Sequence, residues 1–313
     1  MTGSAGVIGA IIFHKFLRAV LTVLLIASVT FLVLRITGDP ALVMLPTDSA
    51  VEAIEQFRAM KGLDRPLLVQ YGQYVGRIFV GDFGYSFQNG MPALAVAMEK
   101  VAPTLLVTGT GFVLMLIVGV PLGVIGAVRE NRLIDRMIIF LTVLGHSIPS
   151  YIIGLGFILL FGVVLKALPT NGTDTLWHAV LPIATYAVYG TSLVTRFVRA
   201  SVIEVLDQPF VRTARSVGFR GWRLMVHHVL PNAAIPAVTM LGFVVGGLIG
   251  GSVLIESIFG YSGLGRLLTV SVQMRDIPVV QAILFMTAVT MIASNLIVDI
   301  LIVALDPRAR RNQ

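Results

Sequence analysis

The sequence contains no cysteine and few charged residues. Of its 313 residues, 12% are Asp, Glu, Lys or Arg and 56% are hydrophobic, and the mean hydropathy is +0.91. The absence of cysteine excludes disulfide bonds, thiolate metal sites and cysteine nucleophiles. Because roughly a quarter of the residues in a soluble domain are charged, this composition excludes an ordinary soluble globular protein.

Lysine is also scarce, and its positions exclude an ATP site of the phosphate-loop type. Such a site requires Gly-x4-Gly-Lys-Ser/Thr, so that backbone N–H groups and one lysine converge on the phosphates. None of the four lysines follows a glycine. The sequence also lacks His-Glu-x-x-His and Gly-x-Ser-x-Gly, the signatures of zinc and serine hydrolases. We therefore predict no catalytic residue, no resident cofactor and no metal site in this chain.

What the sequence does contain is a series of long uncharged runs. A bilayer core about 30 Å thick is crossed by roughly 20 helical residues, and six runs approach or exceed that length. They are Ala19–Leu34, Val101–Val128, Met137–Leu165, Thr175–Thr195, Leu224–Ile255 and Ile277–Val298. The sequence therefore predicts an all-α, polytopic membrane protein with six transmembrane helices.

The distribution of positive charge predicts the orientation. With the N-terminus in the cytoplasm, fourteen of the 23 basic residues lie inside, in 129–136, 196–223 and 308–311 together with Lys15 and Arg18. Cytoplasmic loops of membrane proteins carry an excess of Lys and Arg. We therefore predict that both termini are cytoplasmic, and the formal net charge of +7 is interpreted as loop charge beside anionic lipid, not as a nucleic-acid site.

Two stretches between the spans are long enough to have roles of their own. The first, from about Gly38 to Lys100, is predicted to lie outside and to contain an amphipathic helix near Ala50–Lys61. It caps the channel, receives a delivery protein or is a folded connection between two helices. The second, Arg199–Pro231, is predicted to lie inside.

The inner stretch has two different faces. At 100° per residue, Arg212, Arg215 and Arg220 fall on one side of Asp207–Trp222, and the other side carries apolar residues. Those apolar residues are Phe210, Ala214 and Val217. Gly218 and Gly221 are expected to break the stretch into two short helices. This pattern is typical of a docking element, and equally of a helix that lies on a membrane surface.

The spacing within this stretch resembles a known loop. Arg212-Thr213-Ala214, three further residues, Gly218, nine further residues and His228-Val229-Leu230-Pro231 look like the cytoplasmic "EAA" loop of ABC importer permeases. The chain departs from that pattern at Arg212, Thr213 and His228. The resemblance implies that the loop contacts an ATPase subunit. Its site residues are then Arg212, Thr213, Ala214, Gly218, Leu224, Leu230 and Pro231.

Further strings narrow the resemblance to the permease subunits of dipeptide and oligopeptide importers. They follow in order along the chain: Gly38-Asp39-Pro40, Leu63-Asp64-Arg65-Pro66, Gly81-Asp82-Phe83-Gly84, Gly263-Leu264-Gly265-Arg266, Arg275-Asp276-Ile277-Pro278 and the tail from Val298 to Arg308. The resemblance implies a type I ABC importer permease fold in a bacterial inner membrane. It also implies three kinds of partner: a second permease, two ATPase subunits that bind ATP and Mg, and an external solute-binding protein.

These expectations divide the chain into three parts. Residues 1–100 form the first transmembrane helix and the external segment, 101–305 form a five-helix core with the coupling loop 200–231, and 306–313 form a basic tail. In the core, Gly242, Gly246 and Gly250 either line a translocation path or allow close packing of helices. Within the resemblance the cargo is a di- or oligopeptide, glutathione, a nickel complex, haem or an opine, and the partner permease is a different chain or a second copy.

Two other classes of function are consistent with the spans alone. An ion-coupled carrier or channel needs titratable groups near the membrane midplane, and the spans offer only Asp299, near the cytoplasmic end of the last helix. A structural membrane protein would leave the spaced inner loop without a purpose. We therefore expect a transport subunit of an ATP-driven importer.

Overall fold

The computed structural model describes residues 17, 20–25, 27–29, 31–32 and 50–305, and nearly all of these are helical. In these ranges there is no β-strand, only an isolated bridge between Tyr85 and Pro92. From residue 50 the α-helices are α1 (Val51–Lys61), α2 (Leu67–Phe79), α3 (Ala93–Glu99), α4 (Val101–Val128), α5 (Leu133–Ser147), α6 (Ser150–Phe157), α7 (Trp177–Leu206), α8 (Pro209–Ser216), α9 (Gly221–Leu224), α10 (Leu230–Gly246), α11 (Leu248–Ile258), α12 (Leu264–Gln273) and α13 (Ile277–Leu305). In the same range, two π-helical segments continue them: Ile158–Val164 extends α6, and Met225–Val229 joins α9 to α10. The all-α prediction is confirmed.

The described residues form two compact units. One unit contains Val101–Arg266 and the chain from Thr290 onward. The other contains the residues up to Lys100 together with Leu267–Val289. The coupling loop and the glycines of the predicted path all belong to the first unit.

Close packing of α4 against α7 organises the first unit. Gly119 and Gly123 are four residues apart and therefore lie on the same face of α4. A methyl group on Gly123 would stand 2.8 Å from the carbonyl oxygen of Thr195, and one on Gly119 would stand 3.0 Å from Val194. Small residues at this spacing let two helix backbones approach, which is how helices associate in lipid.

Within the described residues, three continuous helical stretches are long and apolar enough to cross a bilayer by length and composition, namely Ala93–Val128, Gly221–Gly246 and Ile277–Val298. Leu133–Ser147 and Ser150–Val164 are apolar enough to cross only when taken together, and they meet at an angle of 95°, as in a broken span or a re-entrant loop. Pro149 accounts for the break: it disfavours helical geometry at the preceding residue, and Ile148 is extended. The run Met137–Leu165 is thus a bent pair of helices, not the single straight helix that its apolarity indicates.

The remaining predicted spans differ from a simple apolar helix. Thr175–Thr195 lies almost entirely in α7, whose 30 residues extend about 45 Å, more than a bilayer core requires. The run Leu224–Ile255 is interrupted at Gly247, where α10 ends and the shorter α11 begins. Of the first span, only the helical residues within 17–32 are described; Arg18, Arg35, Gly38-Asp39-Pro40 and the tail 306–313 lie outside the described residues.

The second unit contains the predicted helix near Ala50–Lys61, which the structure places at Val51–Lys61. The buried amide of Gln70 closes the turn after it by donating to the carbonyl oxygens of Leu63 and Arg65, at 3.0 and 2.6 Å. Asp276, also buried, accepts hydrogen bonds from the Ser86 hydroxyl and, at 3.1 Å, from the N–H of Phe87. The contacts of Asp276 tie the segment before α3 to the residues that precede α13.

Candidate functional site

The inner loop is broken where the sequence predicts it. Helix α8 ends at Ser216, and α9 begins at Gly221. Gly218 has φ 98° and Gly221 has φ 55°, the region that side-chain-bearing residues rarely adopt. Both glycines are therefore explained by backbone conformation, and a methyl group on Gly218 would have nothing within 4 Å.

The predicted coupling residues divide into an exposed and a buried set. Arg212 and Thr213 are exposed on α8, as is Pro231 at the start of α10, and Leu230 is half-buried. Ala214 and Leu224 belong instead to one buried cluster with Val211, within this chain. Ala214 therefore packs against its own chain. The docking role of the loop stays a prediction.

The apolar face of the loop also differs in detail from the helical projection. Phe210 and Ala214 pack inward as expected, but Val217 is 73% exposed. The reason is that α8 ends one residue before it, so the 100° periodicity no longer applies. Val211, which the projection did not select, is fully buried in its place.

The two neighbouring histidines after α9 occupy different environments. The ring of His228 packs edge-on against Phe219, with centroids 4.5 Å apart, and this contact joins the turn after α8 to the following helix. His227 is exposed and lies 3.1 Å from the carbonyl oxygen of Arg223. Within the described residues, no group of three His, Asp or Glu side chains is arranged to hold a metal ion.

A buried ion pair lies next to the helix that leads into the loop. The guanidinium of Arg199 on α7 donates two hydrogen bonds to the carboxylate of Asp135 on α5, at 2.6 and 2.8 Å. The Asp135 side chain is 1% exposed and that of Arg199 is 20% exposed. Asp135 also accepts the N–H of Asn131, at 2.9 Å. The pair fixes α5 and the loop before it against the last turns of α7, and the sequence gave no sign that these residues meet.

The glycines proposed for the translocation path separate into two kinds. A methyl group on Gly242 would collide with Val298 of α13, and one on Gly246 would stand 3.3 Å from the Cα of Met291. The hydroxyl of Ser294 donates to the carbonyl oxygen of Gly242 at 2.8 Å. Gly242 and Gly246 are thus packing positions against α13. Gly250 is exposed and would meet nothing within 4 Å, so it alone remains a candidate for lining a path.

A second polar centre lies where α11 ends. Glu256 is fully buried, and its carboxylate accepts hydrogen bonds from the Thr104 hydroxyl at 2.7 Å and from the N–H groups of Gly265 and Arg266 at 2.7 and 3.1 Å. The Thr104 oxygen in turn accepts the N–H of Leu264 at 2.7 Å. The carboxylate therefore accepts hydrogen bonds from N–H groups at the start of α12 and joins them to α4.

This centre explains the glycines in Gly263-Leu264-Gly265-Arg266. A methyl group on Gly263 would collide with the Glu256 carboxylate, and one on Gly265 would stand 2.5 Å from the Cα of Val253. The motif Gly263-Leu264-Gly265-Arg266 is visible in the sequence, but Glu256 was not predicted, because it stands just after an apolar run. A single carboxylate that directly ends a predicted span, seven residues before a glycine-rich turn, is the signal that was available.

The carrier alternative gains no support from the described groups. Glu256 is committed to structural hydrogen bonds, and the side chain of Asp299 lies outside the described part of the structure. At the bend between α5 and α6, the ring of His146 stacks on Tyr189 with centroids 5.4 Å apart.

Comparisons with known proteins agree with this architecture. The chain matches the family described as "Binding-protein-dependent transport system inner membrane component" over residues 119–311, and the N-terminal family of the same membrane components over residues 9–108. It is 37% identical over 300 residues to the glutathione transport system permease protein GsiC of Escherichia coli (strain K12) and to that of Shigella flexneri serotype 5b (strain 8401). Each alignment covers 96% of this chain and 98% of the relative.

Solved structures of transporters share the fold. An inward-facing form of the MetNI methionine ABC transporter superposes with a TM-score of 0.55 at 19% identity, covering 67% of this chain and 96% of that one. An amino acid ABC transporter with histidines gives 0.53 at 15% identity, covering 66% and 93%. The type I permease fold is therefore confirmed, and the carrier and channel alternatives give way to an importer. The chain belongs to the family of binding-protein-dependent transport system inner membrane components, the permease subunits of ABC importers.

Proposed function

We propose that this permease forms, together with a second permease, the path for short peptides, with glutathione as the leading member of that class. The observation that carries the proposal is the 37% identity to glutathione permeases across nearly the whole of both chains. Glutathione is itself a tripeptide with one unusual linkage, so it falls within the di- and oligopeptide class that the sequence motifs indicate. The external solute-binding protein selects among these peptides before they reach the membrane.

The energy for transport comes from partner subunits in this proposal. Two ATPase chains bind ATP and Mg, and the loop between α7 and α10 transmits their closure to the spans as a rigid-body movement. The exposed side chains of Arg212 and Thr213 on α8 contact the ATPase, while the buried Ala214 and Leu224 join α8 and α9 to the core. In this arrangement the loop and both termini are cytoplasmic.

Uptake into proteoliposomes tests the cargo. The permease is reconstituted with its partner permease, ATPase subunits and binding protein, and radiolabelled glutathione, a dipeptide and a tripeptide of ordinary linkage are offered separately. We expect ATP-dependent uptake of glutathione that unlabelled short peptides compete. Uptake of none of the three peptides would contradict the proposed cargo, and uptake that persists without ATP would contradict the coupling mechanism.

Substitution of Gly218 tests the coupling loop. The Gly218→Trp variant should insert into the membrane and assemble normally, because nothing lies within 4 Å of the added side chain's first carbon. It should uncouple ATP hydrolysis from uptake, because the large side chain would obstruct the docking surface. The left-handed conformation alone costs about 1–3 kcal/mol for a residue other than glycine. Gly218→Asn is therefore the matched control, since asparagine tolerates positive φ better than most residues and is smaller than tryptophan. The measurement is peptide transported per ATP hydrolysed; an unchanged ratio in the tryptophan variant would refute docking at this position.

A further inference from the structure

A cavity of about 910 Å³ lies beside the coupling loop, within the first unit. Its apolar wall comes from the end of α4, at Val124, Ile125 and Val128, and from Leu206 at the end of α7. Leu224 and Met225, where α9 passes into the next span, complete that wall. Cavities of 300–1,000 Å³ are the usual size for binding small molecules, and this one combines apolar walls with a charged rim.

The rim is basic. Arg129, Arg215 and Arg220 all line the cavity, and among the described residues that line it none is acidic. None of the three guanidinium groups takes part in a salt bridge or a side-chain hydrogen bond with a described residue, although Glu130 is adjacent in sequence to Arg129. Trp222, 72% exposed, stands beside them. Arginine and tryptophan together are typical of the level of phospholipid headgroups.

We propose that this cavity binds one anionic phospholipid, with its phosphate against Arg129, Arg215 and Arg220 and an acyl chain along Val124, Ile125 and Val128. The charges complement a phosphate, and the wall complements a hydrocarbon chain. An anionic phospholipid matches both, because it joins a phosphate to hydrocarbon chains, whereas a small soluble anion would match the basic rim alone. The lipid would then hold α8 and α9 against α4. This inference depends on membership of the permease family and not on the identity of the transported peptide.

Photolabelling of the complete transporter tests the site. The assembled complex, with its partner permease and ATPase subunits, is placed in nanodiscs that contain phosphatidylglycerol with a photoreactive group in its acyl chain. We expect crosslinks to 124–129 and 222–225 after peptide mapping, and much weaker ones from the phosphatidylcholine analogue. Each basic residue near a membrane surface contributes enough binding free energy that Arg215→Gln or Arg220→Gln should lower labelling about fivefold, and the double variant about 20-fold.

The matched control is Arg132→Gln. It removes one positive charge from the loop after α4, but Arg132 is exposed and does not line the cavity, so labelling should be unchanged. Equal labelling by both lipids, or full labelling in the double variant, would overturn the proposal. Labelling seen only after the ATPase subunits are removed would also overturn it, since a protein would then cover the cavity. Peptide uptake, measured on the same preparations, reports separately on the proposed function.

Discussion

Glu256→Ala is expected to lower the free energy of unfolding of the transporter by about 3–5 kcal/mol and to abolish peptide uptake. The substitution leaves three donors without their acceptor: the Thr104 hydroxyl and the N–H groups of Gly265 and Arg266. Each unsatisfied buried donor costs about 1–3 kcal/mol, and Glu256 is fully buried. The start of α12 would then be held to α4 by the hydrogen bond from the N–H of Leu264 to Thr104 without the carboxylate that bridges them.

The amide variant Glu256→Gln should show a smaller loss of stability than the alanine variant. Glu256→Gln keeps one acceptor oxygen but presents an NH₂ group to a site that contains only donors, so it should be destabilised by less than the alanine variant. Glu99→Gln is the control, because Glu99 is exposed on α3 and the same change there should leave stability unaltered. The measurement is the melting temperature of the assembled complex, where we expect a fall of about 5–10 °C for the alanine variant. A melting temperature and uptake equal to wild type would show that the buried carboxylate is dispensable.

The sequence predicted helices well because it is rich in the two signals on which such predictions depend. Uncharged runs predicted α4 and α13. Gly218 and Gly221 predicted the break between α8 and α9, and both have positive φ in the structure. It predicted poorly where one local residue overrides composition. Mean apolarity does not respond to the single Pro149 that bends α5 against α6, nor to Gly247, where α10 stops.

The polar centres were missed for a different reason. Asp135 and Arg199 are 64 positions apart, and Thr104 and Glu256 are 152 apart, so only the packing of α4, α5, α7 and α11 brings their side chains together. Neither pair leaves a local pattern in the chain. The path glycines show that one residue type can occupy different environments. Gly242 packs against α13, whereas a methyl group on Gly250 would meet nothing within 4 Å, and the sequence does not distinguish the two.

The ion pair between α5 and α7 gives the second large effect. Asp135→Leu leaves the Arg199 guanidinium without its carboxylate partner, and Arg199→Met leaves the Asp135 carboxylate, which is 1% exposed, without its cation. Breaking a buried pair from one side costs about 3–5 kcal/mol, whereas replacing both partners with apolar residues is often nearly neutral. We therefore expect either single variant to be strongly destabilised and the double variant to recover most of that loss. A residual cost of about 1 kcal/mol should remain, because the N–H of Asn131 loses its acceptor.

The control for this cycle is Arg196→Met, which removes an exposed arginine one turn away on the same helix and should leave stability within about 0.5 kcal/mol of wild type. Melting temperatures of the four proteins give the coupling energy between the two side chains. Purely additive losses, with no recovery in the double variant, would show that the two groups act independently despite their contact.

The same cycle separates a structural role from a role in coupling. Helix α7 ends at Leu206, about two turns beyond Arg199, and the coupling loop follows directly. If the ion pair only holds the fold, the double variant should transport as much peptide per ATP as wild type once its stability is restored. If it also keeps α7 rigid against α5 while closure of the ATPase subunits moves the coupling loop, the double variant should hydrolyse ATP but transport less peptide per ATP than wild type. We expect the second outcome, because apolar packing replaces the energy of the pair but not its fixed two-bond geometry.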